Sequence, residues 1–160
     1  MKILITILII VFSVISAQYY FSLLGLDLEI DDYKSFPIDV TKDDYKIYKK
    51  KTSLRGFMPK KYITSIRDIL NNNHFKCKKQ TLFTEGFYES FYCQTKDAGD
   101  FSKLKLNFKL NDTTTITLTG DQLFDVKDNN YNFIFRGSGG TNILTIPMGK
   151  LNNNNNEENN

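Results

Sequence analysis

The chain has 160 residues, 21 basic and 18 acidic side chains, one histidine and two cysteines, for a formal net charge of +3. That balance offers no basic footprint for nucleic acid, one His with one Cys pair falls short of a zinc ligand set, and the length bounds the chain to one ordinary domain. Thirteen Phe and nine Tyr with no Trp and three Pro suit aromatic-lined strands and exclude a collagenous or wholly disordered chain.

Lys2 precedes a largely apolar run from Ile3 to Val14, followed by Ile15, Ser16 and Ala17, and this reads as an export signal cleaved after Ala17. The run is short of the roughly 20 residues a membrane span needs. An uncleaved signal anchor is the alternative, and no stable membrane insertion is expected once residues 1–17 are removed. The remaining chain, roughly 140 residues, is enough for one core. Its expected location is outside the cell or in the lumen of the secretory or lysosomal pathway.

Gln18 to Ile30 predicts a long, broken strand with Tyr20, Leu23, Leu26, Leu28 and Ile30 inward and Gly25 permitting a bulge. Asp31 and Asp32 form a polar turn before the alternating Phe36, Ile38 and Val40, and Tyr45, Ile47 and Tyr48 suggest a third strand. Between Pro59 and Asn72 the period changes. Tyr62, Ile63, Ile66, Ile69 and Leu70 recur at three and four residues, which predicts a helix over about 59–72. Pro59 suits its first turn, and Asn71 to Asn73 would end it in the left-handed conformation.

Cys77 and Cys93 lie in the exported part, so an intrachain disulfide is expected. Beyond Cys93, Leu104, Leu106, Phe108 and Leu110 alternate with Lys103, Lys105, Asn107 and Lys109. After a turn at Asn111, Asp112 and Thr113 the pattern returns with Ile116 and Leu118, which predicts a hairpin. The same triplet makes Asn111 a glycosylation acceptor. Strands over Tyr131 to Phe135 and Asn142 to Ile146 flank Gly137, Ser138, Gly139 and Gly140, a turn with no following helix to make it a phosphate loop. Residues 151–160 are Asn-rich with almost nothing to bury, and a disordered tail is expected.

The order of these elements resembles the C-terminal lobe of pepsin-like aspartic proteases over about residues 18–148. Gln18, Tyr19 and Tyr20 through Leu26 and Ile30 resemble the strand that opens that lobe. KKKTSLRGFMPKKYITSI, residues 49–66, resembles the stretch in which an Asp-Thr-Gly turn and Ser-Leu precede an apolar link, Pro and a helix. Thr52, Ser53 and Leu54 match the end of the motif, and Met58, Pro59 and Tyr62 match the start of the helix. Tyr92 and Cys93, FSKLKLNFKL and TTITLTGDQLF resemble the family's paired strands and following turn, and NILTIPMG resembles its Ile-Leu-Gly strand. The resemblance implies a mainly β fold, a single barrel- or sandwich-like lobe with one main helix.

The departures decide what it implies about activity. In the family two aspartates share a proton across the lobes. Here Lys49 stands in the place of the Asp, Lys50 follows, Lys51 replaces the Gly, and Thr145 replaces the Gly of the Ile-Leu-Gly strand. An ammonium cannot take a carboxylate's part in that arrangement. The degenerate motif Lys49, Lys50, Lys51, Thr52, Ser53 therefore implies no catalytic residue, no metal, no cofactor, and a secreted protein that does not cleave peptides on its own. The alternatives are an endopeptidase component pairing with a separate lobe, and an unrelated secreted β-rich binding or adhesion domain. Expected partners are a peptide or protein, a second lobe or another copy. The missing lobe would leave an exposed apolar patch on the order of several hundred Å2. Ser53, His74 and the carboxylates Asp31, Asp32, Asp43, Asp44, Asp121 and Asp125 form no catalytic set in sequence and read as turn or surface residues.

Overall fold

The computed structural model describes residues 23–40, 46–50, 54–82, 88–94, 100–110, 113–137 and 143–154, with backbone alone for 46–50 and 152–154. In chain order the strands are β1 (Gly25–Asp31), β2 (Lys34–Ile38), β3 (Lys46–Lys50), β4 (Gly56–Phe57), β5 (Cys77–Leu82) and β6 (Tyr88–Gln94). They continue with β7 (Lys105–Lys109), β8 (Thr115–Thr119), β9 (Phe124–Lys127), β10 (Asn130–Phe133), β11 (Phe135–Arg136) and β12 (Ile143–Pro147). The helices are α1 (Lys60–Asn72), α2 (Gly120–Leu123) and α3 (Gly149–Asn154). Among the described residues the protein is mainly β with one long helix, as the sequence pattern predicts. Among the described residues the strands form three four-stranded sheets, ordered β2-β1-β7-β8, β5-β6-β10-β9 and β11-β4-β12-β3.

The first sheet follows directly from period-two patterning. Leu26 and Leu28 of β1 face Phe108 and Leu106 of β7, which face Ile116 and Leu118 of β8, and all are buried. Leu110 N–H donates to the Thr114 carbonyl at 2.9 Å and closes the predicted hairpin. Gly25 opens β1 instead of bulging it; the register shift falls between Glu29 and Asp31, next to the turn at Asp32 and Tyr33. β2 stops at Ile38, although Val40 beyond it is buried.

α1 buries Tyr62, Ile63, Ile66 and Leu70 on one stripe. A helix of this length is marginal alone, and Ile63, Ile66 and Leu70 each contribute about 1.5–3 kcal/mol on burial. Pro59 sits at its N-cap and Asn73 at its C-cap, but Asn73 has φ −116° and the left-handed residue is His74, φ 70°. The expected asparagine cap is therefore displaced by one residue. Asn73 instead spends its side-chain amide on the Ile69 carbonyl at 2.7 Å, while Phe75 N–H reaches back to Leu70 O at 3.1 Å. Asn71 ties the helix end to the second sheet: its amide nitrogen donates to Cys77 O at 3.1 Å and its oxygen accepts from Cys77 N–H at 2.8 Å.

In the second sheet Cys77 and Cys93 lie directly opposite, 4.0 Å between Cα atoms, and form the expected disulfide. Phe91, Phe124 and Phe133 cover the same inner side, and Phe91 stacks on Phe133 at 4.5 Å. Edge-to-face contacts carry the ring cluster through Phe101 to Phe75, and Phe135 joins it to Phe108 of the first sheet.

The expected strand Tyr131 to Phe135 is two strands in different sheets. β10 ends at Phe133, β11 begins at Phe135, and Ile134 N–H donates instead to Leu123 O at 2.9 Å. The buried Ser90 hydroxyl holds this crossing, lying 2.8 Å from Phe135 O and 3.2 Å from Phe133 O. β12 runs between β3, to which it is parallel, and β4, to which it is antiparallel. Gly56 is required where β4 and β11 meet, because a Cβ there would lie 2.5 Å from both the Phe135 ring and Thr145 O. The expected disordered tail from residue 151 overlaps a helix. α3 continues to Asn154, Leu151 packs against the core, and Gln122 Nε2 donates to Lys150 O at 3.4 Å. The segments 1–17 and 155–160 lie outside the described residues, and no helix among the described residues is long and apolar enough to cross a membrane.

A candidate functional site at a cationic cleft

The parallel pairing of β11 with β4 sets Arg136 beside Phe57, and the alternation along the chain puts Arg55, two residues earlier, on the same side. The other side of this pair is occupied by Gly56 and the buried Phe135. Arg55 and Arg136 thus emerge where the third sheet meets the polar face of the second. That face is built by Gln80 of β5, Ser90 of β6, Asn132 of β10 and Asp125 and Lys127 of β9, brought together by the registers Gln80 to Ser90 and Asn132 to Asp125. These residues line a cleft of about 230 Å3.

Among the described residues Arg55, Arg136 and Lys127 line the cleft together with one carboxylate, Asp125, which is itself ion-paired with Lys150 of α3. Burial and the like charge of Arg55 lower the pKa of Arg136 from its ordinary value, with Tyr88 acting the other way. Arg136 nonetheless remains a cation, because a guanidinium keeps its proton under all physiological conditions. Tyr88 also packs on Phe57, ring centroids 5.7 Å apart, so two rings border the guanidinium pair.

Behind the cleft Glu89 locks β6 to α1 and β5. Its carboxylate lies 3.2 Å from Lys60 Nζ and 2.5 Å from Lys79 Nζ, and its backbone exchanges two hydrogen bonds with Gly137 at 2.8 and 2.9 Å. Burial raises the Glu89 pKa, but hydrogen bonds from Lys79 and Lys60, and their charges, outweigh it and hold the carboxyl below its ordinary value.

A second polar assembly lies on the outward face of the first sheet. Asn107 Nδ2 donates to Asp27 Oδ2 at 3.0 Å and Glu29 Oε1 at 2.9 Å, Thr117 donates to Asn107 Oδ1 at 2.6 Å, and Ser35 donates to Asp27 at 3.2 Å. It joins four strands across the sheet and its groups satisfy one another.

The residues singled out by sequence are dispersed. Lys49 and Lys50 lie on β3, in register with Ile146 and Pro147 of β12. Lys51, Thr52, Ser53, Asp43, Asp44 and the expected glycosylation acceptor Asn111 lie outside the described residues. Asp31 accepts from Tyr33 N–H at 2.9 Å in a turn, and Asp32, His74 and Asp121 are exposed. Of the described candidates, Asp125 lines the cleft. Among the described residues no three His, Cys, Asp or Glu side chains converge as metal ligands. Arg55, Arg136, Gln80 and Asn132 carry no signal in sequence, being isolated polar residues that only the strand pairing collects. No protein-family model matches the chain and no curated protein matches it, so the reading of its function rests on these residues.

Proposed function

We propose that the chain is an exported, non-catalytic binding domain built on the plan of one lobe of a pepsin-like aspartic protease. The observation that carries this reading is the pairing of β3 with β12. The two segments that resemble the family's Asp-Thr-Gly and Ile-Leu-Gly stretches are far apart in sequence, yet they run side by side with Lys49 opposite Ile146 and Tyr48 opposite Thr145. The helix that follows Met58 and Pro59, with Tyr62 buried in its first turn, adds the third matched segment in its expected order.

At the position of the catalytic Asp the chain has Lys49. Peptide hydrolysis by this family requires one carboxylate as base toward water and a second as acid, and the amine of a lysine cannot take a carboxylate's part in that shared-proton pair. Binding is then the activity left to the fold, with a peptide or protein as the partner class. The Cys77–Cys93 disulfide supports export, since such cross-links persist in oxidising compartments.

The test is incubation of the purified protein with a broad peptide library at acidic pH. No cleavage is expected. Pepstatin-sensitive cleavage would overturn the reading in favour of an endopeptidase component that assembles its second carboxylate from another lobe or copy.

A further inference from the structure

We infer that the open edge of β8 pairs with the same strand of a second copy of this chain, joining two first sheets into one across a two-fold axis at Thr117. This rests neither on the proposed function nor on the likeness to proteases. β8 runs in unbroken register with β7, Thr115 opposite Lys109 and Thr119 opposite Lys105. At its two ends Leu110 N–H donates to Thr114 O at 2.9 Å and Gly120 N–H to Leu104 O at 2.8 Å. Bonded and unbonded pairs alternate along an antiparallel ladder. Ile116 and Leu118 therefore bond to β7, while the N–H and C=O groups of Thr115 and Thr117 point away from it. Such a row is a template for another strand.

Among the described residues β8 is also the one sheet edge with no charged side chain and no proline. The others carry Lys34 and Pro37 on β2, Lys78 on β5, Lys127 on β9, Arg136 on β11 and Lys50 on β3. Charges and prolines are what keep an edge from pairing, and β8 lacks both. Its sequence, TITLT, reads nearly the same in either direction about Thr117. Antiparallel pairing on that axis sets Thr115 against Thr119 and Ile116 against Leu118, so hydroxyls meet on the outer side and aliphatic groups on the buried side. Charge points to the same occupant. An uncharged strand meets its own copy with no like charges in contact, and the Lys105 and Lys109 side chains of the two copies stand three strand spacings, or about 14 Å, apart, beyond a Debye length. Thr117 exchanges two backbone hydrogen bonds with its counterpart, and Thr115 N–H reaches the Thr119 carbonyl of the second copy. The ladder stops there, because Thr119 N–H is taken by Gln122 Oε1 at 2.8 Å. On the outer face Thr117 donates to Asn107 Oδ1 at 2.6 Å, and Asn107 donates in turn to Asp27 and Glu29. The side chain at the axis is thus fixed before the copies meet, which lowers the cost of association.

The experiment follows the purified protein by sedimentation equilibrium over a dilution series, and by amide hydrogen exchange at the two ends of that series. One strand pair is a small interface, so a dissociation constant on the order of 0.1 mM is expected. The Thr115 and Thr117 amides should slow as dimer forms, and the Thr119 amide should not change. Thr117→Lys sets a cation against itself on the axis and should weaken dimerisation by about tenfold or more. Thr115→Pro removes an outward N–H at the exposed first position of β8 and costs no bond to β7. Its expected loss is also about tenfold, and it serves if Thr117→Lys does not fold. Thr81→Lys adds the same charge at an exposed position of β5 and should leave dimerisation within about twofold. A protein that stays monomeric up to about 1 mM overturns the inference and leaves the edge to a strand of another protein. A dimer whose Thr115 and Thr117 amides exchange as fast as in the monomer overturns it too, as does equal weakening by Thr81→Lys. Each of these results leaves the peptide-library test unchanged, so the two readings fail separately.

Discussion

Removing the Cys77–Cys93 cross-link isolates what it contributes and where. The two half-cystines are separated by 16 positions, and closing a loop of about that size in the unfolded chain contributes about 3 kcal/mol at 25 °C in the chain-entropy account. Reduction of the folded protein leaves the same atoms in place, whereas Cys77→Ala with Cys93→Ala adds a small cavity, because both sulfurs are buried. The reduced protein should therefore lose about 3 kcal/mol, and for a domain of this size its melting temperature should fall by about 10 °C. Urea unfolding of oxidised and reduced samples at one pH gives both the midpoint and the slope. If the constraint acts on the unfolded chain, the slope rises on reduction, because the released ensemble exposes more surface. A loss below about 1 kcal/mol, or an unchanged slope with the whole loss in the unfolding rate, would refute that reasoning.

Gly120→Ala should destabilise by about 3 kcal/mol, because the added Cβ would sit 1.7 Å from Phe101 O and the segment cannot retreat while Gly120 N–H is bonded to Leu104 O at 2.8 Å. A wild-type denaturation midpoint would show that the turn at Phe101 yields freely. The Glu89 carboxyl has a lowered pKa in the folded protein, so its stabilising effect is complete above the unfolded value of about 4.3 and is lost as pH falls through the lower folded value. Glu89→Gln should therefore flatten the thermal-stability profile between about pH 6 and about pH 3, and a profile as steep as wild type would show that other carboxylates dominate.

Much of the fold was readable wherever a local period decided it. The alternation over Leu104 to Leu110 and the three-and-four spacing over Tyr62 to Leu70 each bury one face, and the structure places both as that pattern requires. What escaped was set from a distance. The segment from Tyr131 to Phe135 contains no Gly or Pro to break it, and its division at Ile134 is imposed by Ser90 and by the Leu123 carbonyl, neither of them near in sequence. His74, not an asparagine, takes the left-handed position because the Asn73 amide is already committed to Ile69 O. The chain past residue 150 looked too polar to order, yet Gln122 and the core hold its first turn. The cationic cleft was unreadable for the same reason: Arg55 and Arg136 become a pair only through the parallel contact of β4 with β11. The lysine cluster at 49–51 drew attention by its local density, which says nothing of convergence.

The threading of β12 between β3 and β4 has a consequence for how the molecule is made. Two strands, Lys46–Lys50 and Gly56–Phe57, must wait with the edges that β12 joins unmet until Ile143 to Pro147 has emerged from the ribosome. During that interval the exposed edges invite misassociation, which gives chaperones a defined window of action. β12, the last of the described strands, is the keystone of the sheet, with Leu144 and Ile146 fully shielded from solvent once it docks, and a chain stopped before it cannot complete that layer.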